Sequence, residues 1–240
     1  MSNNEHKKVT GIVLAGGSGT RMHPTRQKLY MKLFDRPILT YTLEAFEKSK
    51  ADEIILVVSS GEEKFVRDYI VDANGLKKVV SIVAGGEERY SSVYQALQSI
   101  EETDYVLIHD GARAFITPKL VNRCIENVMK YKACIAGMPA KDTIKMVGQD
   151  QNALRTPPRN SLWIAQTPQC FLFGEIRDAY EAMMAAGDTT MTDDGMVMET
   201  YGTRKVRMIK GSYDNIKLTT PDDLILGERI LASRRKRRAE

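Results

Sequence analysis

The chain has 240 residues, 42% of them hydrophobic, enough for one large domain or two small ones with a sizeable core. Its formal net charge of +4 resides in Arg234, Arg235, Lys236, Arg237 and Arg238 against Glu240; residues 1–233 balance thirty basic against thirty acidic side chains. The body of the chain therefore carries no excess charge for nucleic acid, and residues 234–240 read as a basic, disordered tail. Cys124, Cys134 and Cys170 are odd in number and form no C-x-x-C pair, and His6, His23 and His109 show no metal-ligand spacing. A disulfide framework and a zinc site are thus excluded, and buried thiols are expected. The first eight residues lack the apolar run of a signal peptide. No segment approaches the roughly 18 to 20 apolar residues of a membrane span. A soluble, cytoplasmic protein is expected, with no membrane partner.

Short apolar runs alternate with amphipathic stretches. Strands are predicted at Thr10–Ala15, Glu53–Ser59, Val79–Ala84 and Tyr105–His109, with helices between them at Ile38–Lys48, Glu62–Asp72 and Ser91–Ile100. A helix at Pro118–Lys132 and a strand at Ala133–Pro139 continue the alternation. This rhythm predicts a mainly parallel, Rossmann-like sheet with helices on both faces. Asp142 to Leu162 breaks it: the segment is polar, holds Pro157 and Pro158, and has a strand-like Thr143–Val147 before a turn at Gly148–Asn152. A protruding β-arm, about residues 140–163, is expected to pack on a partner subunit. The pattern resumes with Leu162–Phe171, a helix near Gly174–Ala186, a strand at Lys205–Ile209 and a last helix from about Pro221. Thr220 is its N-cap and Asp223 its first-turn acid. Residues 1–233 make a single domain.

Three informative turns follow predicted strands, where ligands of such sheets bind. The first, Gly16-Gly17-Ser18-Gly19-Thr20-Arg21, offers backbone N–H groups to phosphate oxygens, with Arg21 and Lys28 adding positive charge. It is not a P-loop, since no G-x-x-x-x-G-K-(S/T) run exists, nor a dinucleotide fingerprint, because Met22 stands where the third glycine is required. The second is Gly85-Gly86-Glu87-Glu88-Arg89 and the third Asp110-Gly111-Ala112-Arg113. Asp110, at a strand end, reads as a Mg²⁺ ligand or a turn acid; Arg113 would pair with it or face an anionic substrate. Lys217 precedes the last helix and is placed to reach a phosphate. No Ser–His–Asp or Cys–His arrangement stands out. That fits phosphoryl chemistry, in which an anionic phosphate needs no activating base and the enzyme supplies alignment and positive charge.

Taken together, Leu14-Ala15-Gly16-Gly17-Ser18-Gly19-Thr20-Arg21-Met22 with Lys28 resembles the signature of nucleotidyltransferases with a glycosyltransferase-A-like fold. Gly85-Gly86-x-x-Arg89-x-x-Ser92-Val93, His109-Asp110-x-Ala112-Arg113, Asp142-Thr143-Ile144-Lys145, Arg159-Asn160-x-Leu162-Trp163, Gln166-Thr167-Pro168-Gln169, Thr192-Asp193 and Asp214–Pro221 follow in order. They are similar to the 2-C-methyl-D-erythritol 4-phosphate cytidylyltransferase family of the non-mevalonate isoprenoid pathway, over about residues 9–231. The resemblance implies a three-layer α/β/α fold of the nucleotide-diphospho-sugar transferase type, CTP and a polyol phosphate as substrates, Mg²⁺, and a homodimer joined by exchanged arms. It assigns Ala15, Gly16, Gly86, Glu87 and Ser92 to cytosine and ribose. Gly17 belongs to the same nucleotide-binding turn. Gly19, Arg21, Lys28 and Lys217 go to the triphosphate, with Arg21, Lys28 and Lys217 catalytic. Asp110, the metal ligand, and Arg113 fall to the metal and substrate side, and Thr143, Arg159, Thr167 and Thr192 to the polyol phosphate. The chain departs from the family pattern at Gln27, Leu29, Gly111, Ala114 and Gly195. Two alternatives are a ribitol-5-phosphate cytidylyltransferase, with the same chemistry, and a catalytically silent nucleotide-binding regulator.

Overall fold

The computed structural model describes residues 6–16 and 28–239. In chain order it contains β1 (Val9–Leu14), a short hairpin of β2 (Lys32–Leu33) and β3 (Arg36–Pro37), α1 (Ile38–Glu47), β4 (Glu53–Val58), α2 (Glu63–Val66), β5 (Val79–Ala84) and α3 (Arg89–Gln98). Then come β6 (Tyr105–Asp110), α4 (Pro118–Tyr131), β7 (Ala133–Pro139), β8 (Met146–Val147), β9 (Ala153–Arg155) and β10 (Trp163–Leu172). Helices α5 (Phe173–Ala185) and α6 (Asp194–Tyr201), strand β11 (Arg207–Lys210) and α7 (Pro221–Ala239) complete it.

Among the described residues seven strands form one sheet, in the order β11-β7-β10-β6-β1-β4-β5. Each neighbouring pair is parallel except those made by β10, which runs antiparallel to β6 and β7. Strands β1, β4 and β6 are near-continuous apolar runs because helices cover both their faces. On one face α1, α2 and α4 contribute Leu39, Leu43, Phe46, Val66, Val121 and Val128; on the other α3, α5 and α6 contribute Val93, Leu97, Ile176, Tyr180 and Val197. The three-layer expectation is met. The three cysteines are free and buried in this core.

Local signals explain the element ends. Thr117 caps α4 by accepting from the Leu120 N–H at 3.2 Å, and Pro118 opens the helix where its missing N–H costs nothing. The stretch expected as one helix at Glu62–Asp72 is a short α2 that passes into a π turn over Arg67–Val71 and a 3-10 turn, stopped by Gly75 at φ +62°. Asp223 Oδ2 accepts from the Thr219 and Thr220 N–H groups, at 2.7 and 2.8 Å, at the start of α7. The tail expected to be disordered is helical: α7 continues to Ala239. Arg234 reaches Asp214 at 3.3 Å and the Arg235 guanidinium lies 4.7 Å from the centroid of the Phe34 ring. Their stems thus find a surface to pack on. The arm is present as the β8–β9 hairpin, a separate two-stranded sheet whose residues are almost all exposed.

Candidate active site at the β1–β6 switch point

Strands β1, β4 and β5 follow one another toward one edge, and β6 then returns to the other side of β1. The order of strands reverses there, and sheets of this kind take ligands outside the carboxyl ends of the strands at that point. Leu14 is in register with Asp110 across it. The Gly111 N–H donates to Leu14 O at 2.8 Å, and a Cβ at position 111 would lie only 2.8 Å from that oxygen. The backbone approach leaves no room for a side chain at this departure from the family pattern.

Asp110 is the centre of the site. Its Oδ1 meets Arg89 Nε at 3.2 Å; its Oδ2 meets Lys217 Nζ at 3.0 Å and Arg113 Nε at 3.7 Å. Its backbone N–H donates to Thr167 Oγ1 at 3.0 Å. Burial pushes the carboxyl upward, but Arg89, Lys217 and Arg113 outweigh it and hold it well below the usual carboxylate range. Arg89 is gripped from behind: its two terminal nitrogens donate to Asp194 at 2.9 and 2.8 Å. Asp194 is fully buried and also accepts from the Tyr180 hydroxyl at 2.6 Å. Arg113 Nη1 donates to Asn215 O at 2.9 Å, and burial pulls its pKa down against the opposing effect of Asp110. Three cations thus share two carboxylates, and the cluster carries a net positive charge suited to a polyphosphate.

Of the anticipated residues, Arg113, Lys217 and Thr167 contact Asp110 directly. Ala15 and Gly16 directly follow β1; the Ala15 N–H donates to Val57 O at 2.6 Å, and a Cβ at Gly16 would rest 3.6 Å from the Val58 carbonyl carbon. Gly86, Glu87 and Ser92 meet at the start of α3. There Ser92 Oγ donates to Gly86 O at 3.3 Å, and Glu88 and Ser91 form a capping box. Lys28 opens a 3-10 turn that ends at Tyr30, whose hydroxyl donates to Glu62 at 2.8 Å. Thr167 points inward: its hydroxyl serves the Asp110 N–H and the His109 ring, at 3.0 and 2.9 Å. Thr192 is exposed beside the first turn of α6. Thr143 and Arg159 lie exposed on the arm, and Arg159 Nη1 donates to Lys141 O at 3.2 Å; within one chain they do not join the Asp110 cluster. Gly17, Gly19 and Arg21 lie outside the described residues.

The donor set does not fit a resident Mg²⁺. Both Asp110 oxygens already face cations, and Asp194, the other acid of the cluster, is held by Arg89 and Tyr180. Among the described residues no three His, Cys, Asp or Glu side chains converge on a common point. Asp110 instead organises the protein's own cations. Arg89, Asp194 and Tyr180 were not anticipated as site residues. Arg89 had a signal, an arginine just after a Gly-Gly turn at a strand end; its pairing with Asp194, 105 positions away, had none.

Among the described residues no helix is long and apolar enough to cross a membrane. The family model described as 2-C-methyl-D-erythritol 4-phosphate cytidylyltransferase (IspD) matches residues 9–233. A relative of that name from Lachnoclostridium phytofermentans is 44% identical over 94% of this chain and 97% of its own length. Another, from Alkaliphilus metalliredigens, is 45% identical over 95% of each chain. The crystal structure of a 4-diphosphocytidyl-2C-methyl-D-erythritol synthase from Anaerococcus prevotii superposes with a TM-score of 0.84 at 32% identity, covering 94% of this chain and 96% of that one. The Thermus thermophilus cytidylyltransferase gives 0.74 at 26% identity, covering 93% and 98%. On this evidence the chain belongs to the 2-C-methyl-D-erythritol 4-phosphate cytidylyltransferase family.

Proposed function

We propose that this protein joins CTP to 2-C-methyl-D-erythritol 4-phosphate. A phosphate oxygen of the methylerythritol phosphate attacks the α-phosphorus of CTP in line, the bond to the bridging oxygen breaks, and pyrophosphate leaves. The product is 4-diphosphocytidyl-2-C-methylerythritol. The observation that carries this reading is the cationic cluster on Asp110 at the carboxyl ends of β1 and β6, in a chain of this family. The attacking oxygen is already anionic, so the residues contribute charge and alignment rather than a base.

Lys217, at 40% the most exposed of the three cations on Asp110, would take a phosphate of CTP. Arg21 and Lys28 would add charge at the transferring phosphorus, with Gly17 and Gly19 lending backbone donors. Ala15, Gly16, Gly86, Glu87 and Ser92 would hold the nucleoside. Arg113 and Thr192 would serve the methylerythritol phosphate, and Thr167 would act by holding Asp110. Any Mg²⁺ arrives with CTP, bound chiefly to phosphate oxygens, and is part of that substrate. A cytoplasmic location suits a nucleotide substrate.

The arm exposes Ile144, Met146, Val147 and Leu154, and the strand beyond it Trp163 and Ile164. An apolar run of this size on a two-stranded hairpin needs a cover, and a second copy of the chain supplies one. In the resulting homodimer Thr143 and Arg159 would reach the partner's crevice. Leu154→Glu is expected to shift the protein toward monomer in sedimentation; an unchanged dimer would remove the arm from the interface. Arg159→Ala is expected to raise KM for methylerythritol phosphate about tenfold or more while KM for CTP holds, as lost ground-state binding does. An unaltered KM would take Arg159 out of the site. The direct test is pyrophosphate release with CTP and Mg²⁺, run against methylerythritol 4-phosphate and ribitol 5-phosphate in parallel. Release with the first is expected; release with ribitol 5-phosphate alone would reassign the polyol.

A further inference from the structure

Strand β10 keeps register with β7 at Ala165 opposite Gly137 and again at Gln169 opposite Ile135. Residues 166–168 therefore bulge out against the single residue Ala136. Bulges re-aim side chains; this one carries the buried carboxamide of Gln166 toward the site loops, and Gln169 is the residue at which the pairing resumes. Gln166 is 7% exposed and Gln169 is 2% exposed.

Gln166 takes over where a strand ends. Strand β11 follows β7 as far as Lys210 opposite Gly137, and the Gly211 N–H still donates to Gly137 O at 2.8 Å. At Ser212 the Gln166 carboxamide stands in for the missing strand partner. Its Nε2 donates to Ser212 O at 2.8 Å and its Oε1 accepts from the Ser212 N–H at 3.4 Å. A Cβ at Gly211 would sit 2.4 Å from that Oε1, so a glycine makes room for the clamp. Ser212 is the root of the turn that delivers Lys217. The Asn215 N–H donates to Ser212 O at 3.0 Å, Asn215 Nδ2 donates to Thr167 O at 2.8 Å, and the Leu218 N–H donates to Ala112 O at 3.0 Å. Gln169 does the same for the other side. Its Oε1 accepts from the Gly195 N–H at 2.8 Å and its Nε2 donates to Asp193 at 2.9 Å. That fixes the first turn of α6, and with it Asp194, which grips Arg89.

We propose that Gln166 and Gln169 are positioning residues for the transfer reaction. Gln166 sets Lys217 on one oxygen of Asp110, and Gln169, through Asp194, sets Arg89 on the other. The kinetic part rests on the cytidylyl-transfer reading; the geometry does not.

Gln166→Met keeps the length and removes both bonds. It is expected to lower kcat about ten- to a hundredfold, the scale of a misplaced charge, with KM for CTP within about twofold. In a Lys217→Ala background the same change is expected to cost less than about twofold further, because Gln166 acts through Lys217. Lys217 should also become severalfold more reactive toward an amine-acylating reagent, read by peptide mass spectrometry, whatever the enzyme's substrate. Gly211→Ala, which pushes the same carboxamide aside, is expected to reproduce all three results if Gln166→Met does not fold. Full multiplication of the two kcat losses, or unaltered Lys217 labelling, would overturn the proposal. An inactive wild type with raised Lys217 labelling in the variant would instead refute the assigned reaction and leave the positioning intact.

Discussion

Lys217→Ala is expected to lower kcat for cytidylyl transfer by roughly two to three powers of ten, the loss typical of one donor aimed at transition-state charge, and to leave the fold intact. The three cations on Asp110 differ in what else holds them. Arg89 spends two nitrogens on Asp194, and Arg113 is 14% exposed and bonded to Asn215 O. Lys217 is 40% exposed, and an ammonium has three donors of which Asp110 takes one. It is the member of the cluster best able to turn toward an incoming phosphate. Its removal leaves Asp110 with two arginines, so no buried charge is stranded. Asp110 is 10% exposed but keeps both arginines, so the urea midpoint should move far less than it would if the carboxylate were left unpaired. Steady-state kcat beside a urea titration checks both halves. A kcat near the wild-type value would exclude Lys217 from the phosphates; a collapse of stability would make it a structural cation.

The fold was legible wherever hydrophobic period and turn chemistry acted locally. Buried runs such as Ile54–Val58 and Val106–Ile108, too short for helices and set between helical stretches, read as central strands, and the parallel sheet follows. Direction was not legible for Trp163–Leu172, because a strand's residue pattern does not encode which way it runs beside its neighbours. Strand β10 is antiparallel because the arm brings the chain straight back beside β7. Helix α6 escaped notice because eight residues beginning Asp194-Gly195 present no clear stripe; its one signal was Asp193, which caps it by accepting from the Met196 N–H at 2.8 Å. The charge run Arg234–Arg238 read as a solvated end because its partners, Asp214 and Phe34, are distant in sequence.

The site divides in the same way. Asp110, Arg113 and Lys217 were found because strand ends and flanking loops announce them. Arg89 and Asp194, Gln166 and Ser212, and Gln169 and Gly195 are pairs separated by 26 to 105 positions. Each member alone looks like an ordinary polar residue, and the near-complete burial of Asp194 and Gln169 appears only once the chain is folded. Thr167 shows what a motif leaves out. Its motif pointed to substrate, but its hydroxyl is consumed by Asp110 and His109.

His109 makes the second large prediction, in stability rather than rate. It is fully buried on β6, with Nδ1 2.9 Å from Thr167 Oγ1 and its ring 5.4 Å from that of Phe46. Among the described residues its Nε2 has no hydrogen-bond partner. A charged ring would need one, and burial, only partly offset by Asp110, pushes its pKa down to about 3. In the unfolded chain histidine titrates near about 6.5. Between those values the unfolded state binds a proton that the folded state refuses, so stability is complete above about pH 6.5 and falls as the pH drops, by about 1.4 kcal/mol per unit. The loss should reach on the order of 2–3 kcal/mol by about pH 4.5. Asp110 acts in the same direction but lower. Its folded pKa is depressed, so its contribution begins to fade only below the ordinary carboxylate value of about 4. The slope between about pH 6.5 and 4.5 therefore belongs chiefly to the imidazole. Urea unfolding at pH 7.5, 6.0, 5.2 and 4.5 measures it, and His109→Asn, which can keep a polar atom near Thr167, should flatten it even though the cavity lowers stability at every pH. A wild-type line that is already flat would mean that the folded protein accommodates the charged ring, and that burial beside Phe46 does not control this histidine.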